Sequence, residues 1–271
     1  MIDMDAPFII AEIGGQKLRL RVDPAAQDVI QLNPDAAART GIALPDRLEA
    51  VVGRIEVQGR SGPAQVHILG RRMQAHVATH DKRCCDDADG EIAPMLLPFD
   101  VVRFVRATQS APGMARRFPL QASGESGQYV RVRTAGGTLF ARFTLRWPET
   151  VATAASGSML ARAGGGRFEG PGLMTAQAFG IARPARMMRL ARPVDITGFA
   201  IDHAIVRQAD FRGQNRLPSD KPRADDIAVR GRAASPQSAW PALTIGRDRL
   251  DRCDRIEIRR MPPEIILSCR S

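Results

Sequence analysis

"LRLRVDPAAQDVI", Leu18 to Ile30, is the stretch whose reading decides the fold. Leu18, Leu20 and Val22 alternate with Arg19 and Arg21, the period of a half-buried strand. The strand runs into Asp23, and Pro24-Ala25-Ala26 follow. Taken alone, an Asp before Pro at a strand end is a turn residue. Further on, "NPDAAARTGI" supplies a helix, with Asn33 as N-cap, Pro34 in the first position and Gly41 as stop.

Period-two segments dominate the rest of the chain. "FIIAEIGG", "GRIEVQG", "AQVHILG", "QYVRVRT", "TLFARFTLRW" and "EIILS" are punctuated by Gly, Pro and Asp at short intervals. The expectation is an all-β protein with a few short helices. A second helix is expected from about Ser156 to Gly164, in "SGSMLARAGGG".

The two helices expose an internal repeat. Shifted by 123 residues, Leu20 lies over Phe143 and Val22 over Leu145, while "AARTG" (37–41) lies over "LARAG" (160–164). The halves also end alike, in "DGEIAPMLLPFDVVRF" and "LTIGRDRLDRCDRIEI". The expected organisation is an N-terminal lobe over 1–107, a linker over 108–118 and a C-terminal lobe over 119–271 that carries extra loops.

Composition narrows the function classes. The 271 residues are 44% hydrophobic, enough for a core, but only 5% aromatic, so aliphatic side chains must fill it. No run of about 18 apolar residues is present, so no membrane span is expected. "MIDMDAPFII" has neither a basic n-region nor an h-region; the expectation is no signal peptide and, by default, a cytoplasmic location. The net charge of +10 would suit nucleic acid or another polyanion. Lysine, however, occurs only at positions 17, 82 and 221, and the densest basic stretch, "RDRLDRCDRIEIRR", is interleaved with acids. That stretch reads as a solvated face laced with ion pairs, so nucleic acid is disfavoured as a partner.

Other chemistry is weakly signalled. "HVATHDKRCC" holds zinc-ligand types, but as strand residues His76 and His80 would stand roughly 13 Å apart. A loop gathering His80, Cys84, Cys85 and Asp86 is the alternative, and the favoured reading is no metal. There is no G-x-S-x-G elbow, and "AGGGR" lacks the Lys-Ser/Thr of a phosphate loop, so no cofactor is expected. Cys84 and Cys85 are neighbours, a poor geometry for bonding each other. Cys253 and Cys269 lie nearly symmetrically about the turn signal "MPPE" and face each other across a hairpin, as a disulfide or as thiols.

The layout resembles the retropepsin-like and pepsin-like aspartic protease family. "IGRDRL" (245–250) is similar to that family's late Ile/Leu-Gly-x-Asp-x-Leu segment. "EIAPMLL" is a looser match, with Ala93 at the glycine position, and "VDPAAQDVIQLNPDAAARTGI" matches the first motif in spacing but not in its Asp-Thr/Ser-Gly tetrad. The resemblance implies two homologous β-barrel lobes around an interlobe cleft that takes an extended peptide or protein segment by strand pairing. It also implies two carboxylates sharing one proton. Here Pro24 has neither hydroxyl nor N–H, and Ala25 replaces the glycine. In the 123-residue register Arg146 faces Asp23, and an arginine favours the ionised carboxylate. A slipped register, "ETVA" (149–152), would bring Glu149 opposite Asp23 instead. The resemblance therefore implies catalytic positions at Asp23 with Arg146, or Asp23 with Glu149, and substrate contacts at Ala25, Trp147 and Thr150. The favoured expectation is a pseudo-protease or a repurposed peptide-processing enzyme. The alternatives are an active peptidase using Glu149, and a basic scaffold for a polyanion.

Overall fold

A computed structural model describes residues 1–107, 113–123, 127–176, 178–210 and 240–270. The chain is all-β, with one closed barrel among the described residues. Seven strands come from the first part of the chain: β2 (Phe8–Ile13), β3 (Gln16–Val22), β4 (Ile30–Leu32), β5 (Asp46–Val52), β6 (Ile55–Ile68), β7 (Arg71–His80) and β8 (Gly90–Ile92). They lie in the order β2-β3-β8-β4-β7-β6-β5, and β2 also pairs with β6. Six strands thereby close on themselves, with β5 outside the closure.

The later part repeats this order. β12 (Gly127–Thr134), β13 (Gly137–Phe143), β14 (Val151–Ala152), β15 (Gly166–Ala176), β16 (Ala182–Ile196), β17 (Phe199–Arg207) and β18 (Ala242–Ile245) are arranged β12-β13-β18-β14-β17-β16-β15, with β11 (Gln121–Ser123) on the β12 edge. Among the described residues no pairing closes this sheet. A third sheet, β1-β9-β19-β20-β10, draws on both ends of the chain: β1 (Ile2–Asp3), β9 (Val101–Val105), β10 (Met114–Pro119), β19 (Cys253–Arg259) and β20 (Glu264–Cys269).

Alternation produces the strands as expected. Leu18, Leu20 and Val22 of β3 are fully buried, each stabilising the fold by about 1.5–3 kcal/mol. The β2–β3 turn uses Gly14 and Gly15 at φ 57° and 74°, the left-handed conformation that two-residue hairpin turns need. Gly14 is also a close approach, since a Cβ there would lie 2.1 Å from the Thr40 carbonyl oxygen.

The first helix, α1 (Pro34–Thr40), starts after Asn33 and ends on left-handed Gly41, as its sequence signals. The second, α2 (Ala154–Gly164), starts two residues before the expected Ser156, because Thr153 is the N-cap and accepts from the Ser156 N–H. A single turn, α3 (Arg247–Leu250), follows Gly246, and a 3-10 turn over Pro94–Leu96 follows Ala93. The expected linker differs in part. Residues 108–112 lie outside the described residues, but from Met114 the chain is strand, because β10 pairs along its whole length with β20, from Met114↔Cys269 to Pro119↔Glu264. The long insertion "RGQNRLPSDKPRADD" also lies outside the described residues.

Candidate functional site

Strand β3 delivers Asp23 to the end of its sheet, where the residue is only 2% exposed. The Asp23 N–H donates to the Ile92 carbonyl at 3.2 Å, tying the loop to the end of β8. Asp23 Oδ1 accepts from the Ala25 N–H at 2.7 Å. Oδ2 accepts across the molecule from the Thr144 hydroxyl at 2.7 Å and from the Leu145 and Arg146 N–H groups, both at 3.1 Å. Pro24 has no N–H to add, and the donors come from its neighbours instead.

The same local geometry recurs at Thr144. Its N–H donates to the Ile245 carbonyl at 3.0 Å, and its Oγ1 accepts from the N–H two residues on, that of Arg146, at 3.1 Å. The ladders agree: Val22 pairs with Ile92 as Phe143 pairs with Ile245. A shift of 121 residues thus places Thr144 on Asp23 and Arg146 on Ala25. At the helix N-caps the shift is 120, with Thr153 on Asn33, and at the late motif it is 153, with Ile245 on Ile92.

This differs from the 123-residue expectation. Arg146 meets Asp23 through its backbone N–H, while its guanidinium turns away, donating to Glu91 Oε2 at 3.1 Å and to the Cys84 carbonyl. Glu149 is exposed and is not a partner of Asp23. Its carbonyl packs against Gly246, where a Cβ would lie 2.4 Å away. Thr150 is buried in structural bonds: it donates to Asp248 Oδ1 at 2.8 Å and accepts from the Gly246 N–H at 3.2 Å.

A cavity of about 230 Å³ lies over Asp23 and gathers Ala25, Arg146 and Trp147 of the expected residues, but neither Glu149 nor Thr150. The Arg146 guanidinium stacks 4.4 Å over the Trp147 ring. Thr144, Glu91, Arg142 and Arg207 also line the cavity, and sequence reasoning missed all four. Period two carried a signal for one of them: Arg142 and Thr144 share a strand face. The β5–β6 and β15–β16 hairpins occupy matching places in the two sheets. The turn after β15 brings Phe179 to the cavity, its ring centroid 4.5 Å from that of His80. His80 is buried and donates from Nδ1 to Gln31 Oε1 at 3.1 Å, whereas His76 is exposed on β7.

Asn33 holds the Cys84–Cys85 loop against this site. Its Oδ1 accepts from both cysteine N–H groups, and its Nδ2 donates to the Cys85 and Ala88 carbonyls. The two Sγ atoms are 2.9 Å apart as free thiols, whereas Cys253 and Cys269 are joined in a disulfide between β19 and β20. Among the described residues no three His, Cys, Asp or Glu side chains are grouped to hold a metal ion.

Burial pushes the Asp23 carboxyl above the usual carboxylate range, against the pull of the Thr144 and Ala25 hydrogen bonds and of Arg146 and Arg21. Oδ1 accepts one bond and retains a lone pair for the proton. Glu91 is raised too, by burial and then by the Asp23 charge, with Arg146 opposing. The arginine expected to hold Asp23 ionised is engaged by Glu91, and desolvation prevails.

No family model matches the chain, and no curated protein matches it. Among solved structures, EIAV protease complexed with the inhibitor HBY-793 is similar, at 17% identity, over 34% of this chain and 85% of that one, with a TM-score of 0.27. A likeness at that score carries no argument. What defines the class is the chain's own geometry: an all-β protein in which one strand order occurs twice and the two copies meet at Asp23 and Thr144.

Proposed function

We propose that the chain is a two-lobed, pepsin-like protein, with lobes over 1–107 and 119–271, that binds an extended peptide segment in the cleft above Asp23 and does not hydrolyse it by an aspartic dyad. One observation carries this reading. The position equivalent to Asp23 in the second half is Thr144, held by the same backbone bond and donating its hydroxyl to the surviving carboxylate. A dyad works because two close carboxylates cannot both ionise and so share a proton that polarises water. A threonine hydroxyl satisfies Asp23 but does not titrate in that range.

The β15–β16 hairpin, whose turn lines the cavity with Ala178 and Phe179, supports binding by strand pairing, with backbone bonds giving affinity and alternate side chains giving selectivity. The test is affinity selection of random peptides on the full chain at neutral pH, read by mass spectrometry. Peptides retained intact, and released when Asp23→Leu or Phe179→Ala reshapes the cavity, are the expected result. Retention unaffected by both changes would place binding elsewhere.

A further inference from the structure

Two arginines line the cavity from strands of the same sheet. Arg142 comes from β13, two residues before Thr144 on the same strand face, and Arg207 is the last residue of β17. Arg142 donates from Nη2 to the Ala25 carbonyl, while its Nε is buried without a partner. The Nε of Arg207 is also buried without a partner among the described residues, and its nearest carboxylate, Asp210 Oδ1, stands 3.8 Å from Nη2. Asp210 is occupied elsewhere, accepting from the Ala154 and Ala155 N–H groups at the start of α2.

Buried guanidinium donors without acceptors are costly. Here the cost is compounded by like charge. Burial first, and then the charges of Arg183 and Arg142, hold Arg207 down to about 10 against the pull of Asp210. Burial lowers Arg142 as well, with Asp23 and Glu91 opposing. The charged groups facing the cavity are Arg142, Arg146 and Arg207 against Asp23 and Glu91. Arg146 is matched by Glu91, which leaves an excess of one positive charge even with both carboxyls ionised. That excess suits an anionic group.

We infer that Arg142 and Arg207 form a carboxylate-binding subsite within the cleft, so that the segment bound there presents an acidic side chain or a free C-terminal carboxylate to them. Two guanidinium groups offer the forked donors that carboxylates accept. The inference rests on the peptide-binding reading and deepens it by naming the substrate class.

The experiment offers the full chain three pools of short random peptides at pH 7 and compares retention by mass spectrometry. The first pool contains Asp and Glu and has amidated C-termini. The second has Asn and Gln in their place, also amidated. The third has Asn and Gln with free C-terminal carboxylates. The expected result is enrichment of the first or third pool by about tenfold over the second, the scale of hydrogen bonds to a charged group. Enrichment of the first assigns the side chain and enrichment of the third the chain end. In Arg207→Gln the preference for the enriched pool over the second should be lost. Equal retention of all three pools by the native chain overturns the subsite and leaves peptide binding standing. Retention of none overturns both. Enrichment that persists in Arg207→Gln also overturns the subsite.

Discussion

Asp23 is the residue on which the account turns. Its carboxylate is buried, takes hydrogen bonds from both halves, and has its folded pKa pushed up by desolvation. A raised pKa makes the protonated form the one that suits the fold. Its contribution is therefore fully present below the unfolded value of about 4 and is lost as pH rises through the folded value. The melting temperature of the native chain minus that of Asp23→Asn should accordingly be larger at pH 4 than at pH 7; a gap that widens toward neutral pH would contradict the direction. Thr144 gives a second outcome at this scale. Thr144→Val removes a hydroxyl donated to a buried carboxylate and should cost about 1.5–3 kcal/mol of stability in denaturant unfolding. Thr144→Ser, which keeps the donor, should recover most of it.

At the scale of elements, α1 and its N-cap are the clearest case of sequence dictating structure. Asn33, Pro34 and Gly41 bound the helix as their chemistry requires. Yet the Asn33 side chain makes no cap bond of its own; it clamps the cysteine loop with four hydrogen bonds. Asn33→Ala should destabilise the protein by on the order of 3 kcal/mol, because the N–H groups of Cys84 and Cys85 lose a buried acceptor, and it should speed reaction of Cys84 and Cys85 with a thiol reagent. In the native chain both thiols should react slowly, and after denaturation without reductant two of the four cysteines should titrate.

The helices also explain where sequence reading went astray. The strand alternation, both helices and the repeated halves were legible, because period-two burial and terminal glycines leave direct marks. The register was not. α2 has 11 residues and α1 has 7, so aligning their glycine stops displaces the second half from its true match. That displacement moved Arg146 into the place of Thr144. Counting back from the N-caps comes within one residue of it, since Asn33 lies ten residues after Asp23 and Thr153 nine after Thr144. Glu91 and Arg207 left no such mark. Each is one polar residue among strand neighbours, and only the fold brings the ends of β8 and β17, from different sheets, to a common cavity.

At the scale of the molecule, the third sheet binds the parts together. β9 pairs with β19, and β20 lies between β19 and β10, so the last two strands of the chain are enclosed between earlier ones within one sheet. The stretch read as a solvated face laced with ion pairs lies largely here: Glu257 meets Arg103 and Arg259, and Arg106 meets Asp5 and Asp251. A chain ending at Ala107 would leave β9 without β19, an unpaired edge of the kind that self-associates. Size-exclusion chromatography of that fragment should show oligomers or aggregate, and a well-folded monomer would contradict the architecture.

The central claim is that the second half supplies a threonine where a working dyad needs a carboxylate. Its most direct test is incubation of the full chain, beside Asp23→Asn, with a diverse peptide library from pH 3 to 8, with mass spectrometry of the products. The account predicts peptides that are retained but intact, and no difference in products between the two proteins at any pH. Cleavage by the native chain that peaks at acid pH and vanishes in Asp23→Asn would contradict it.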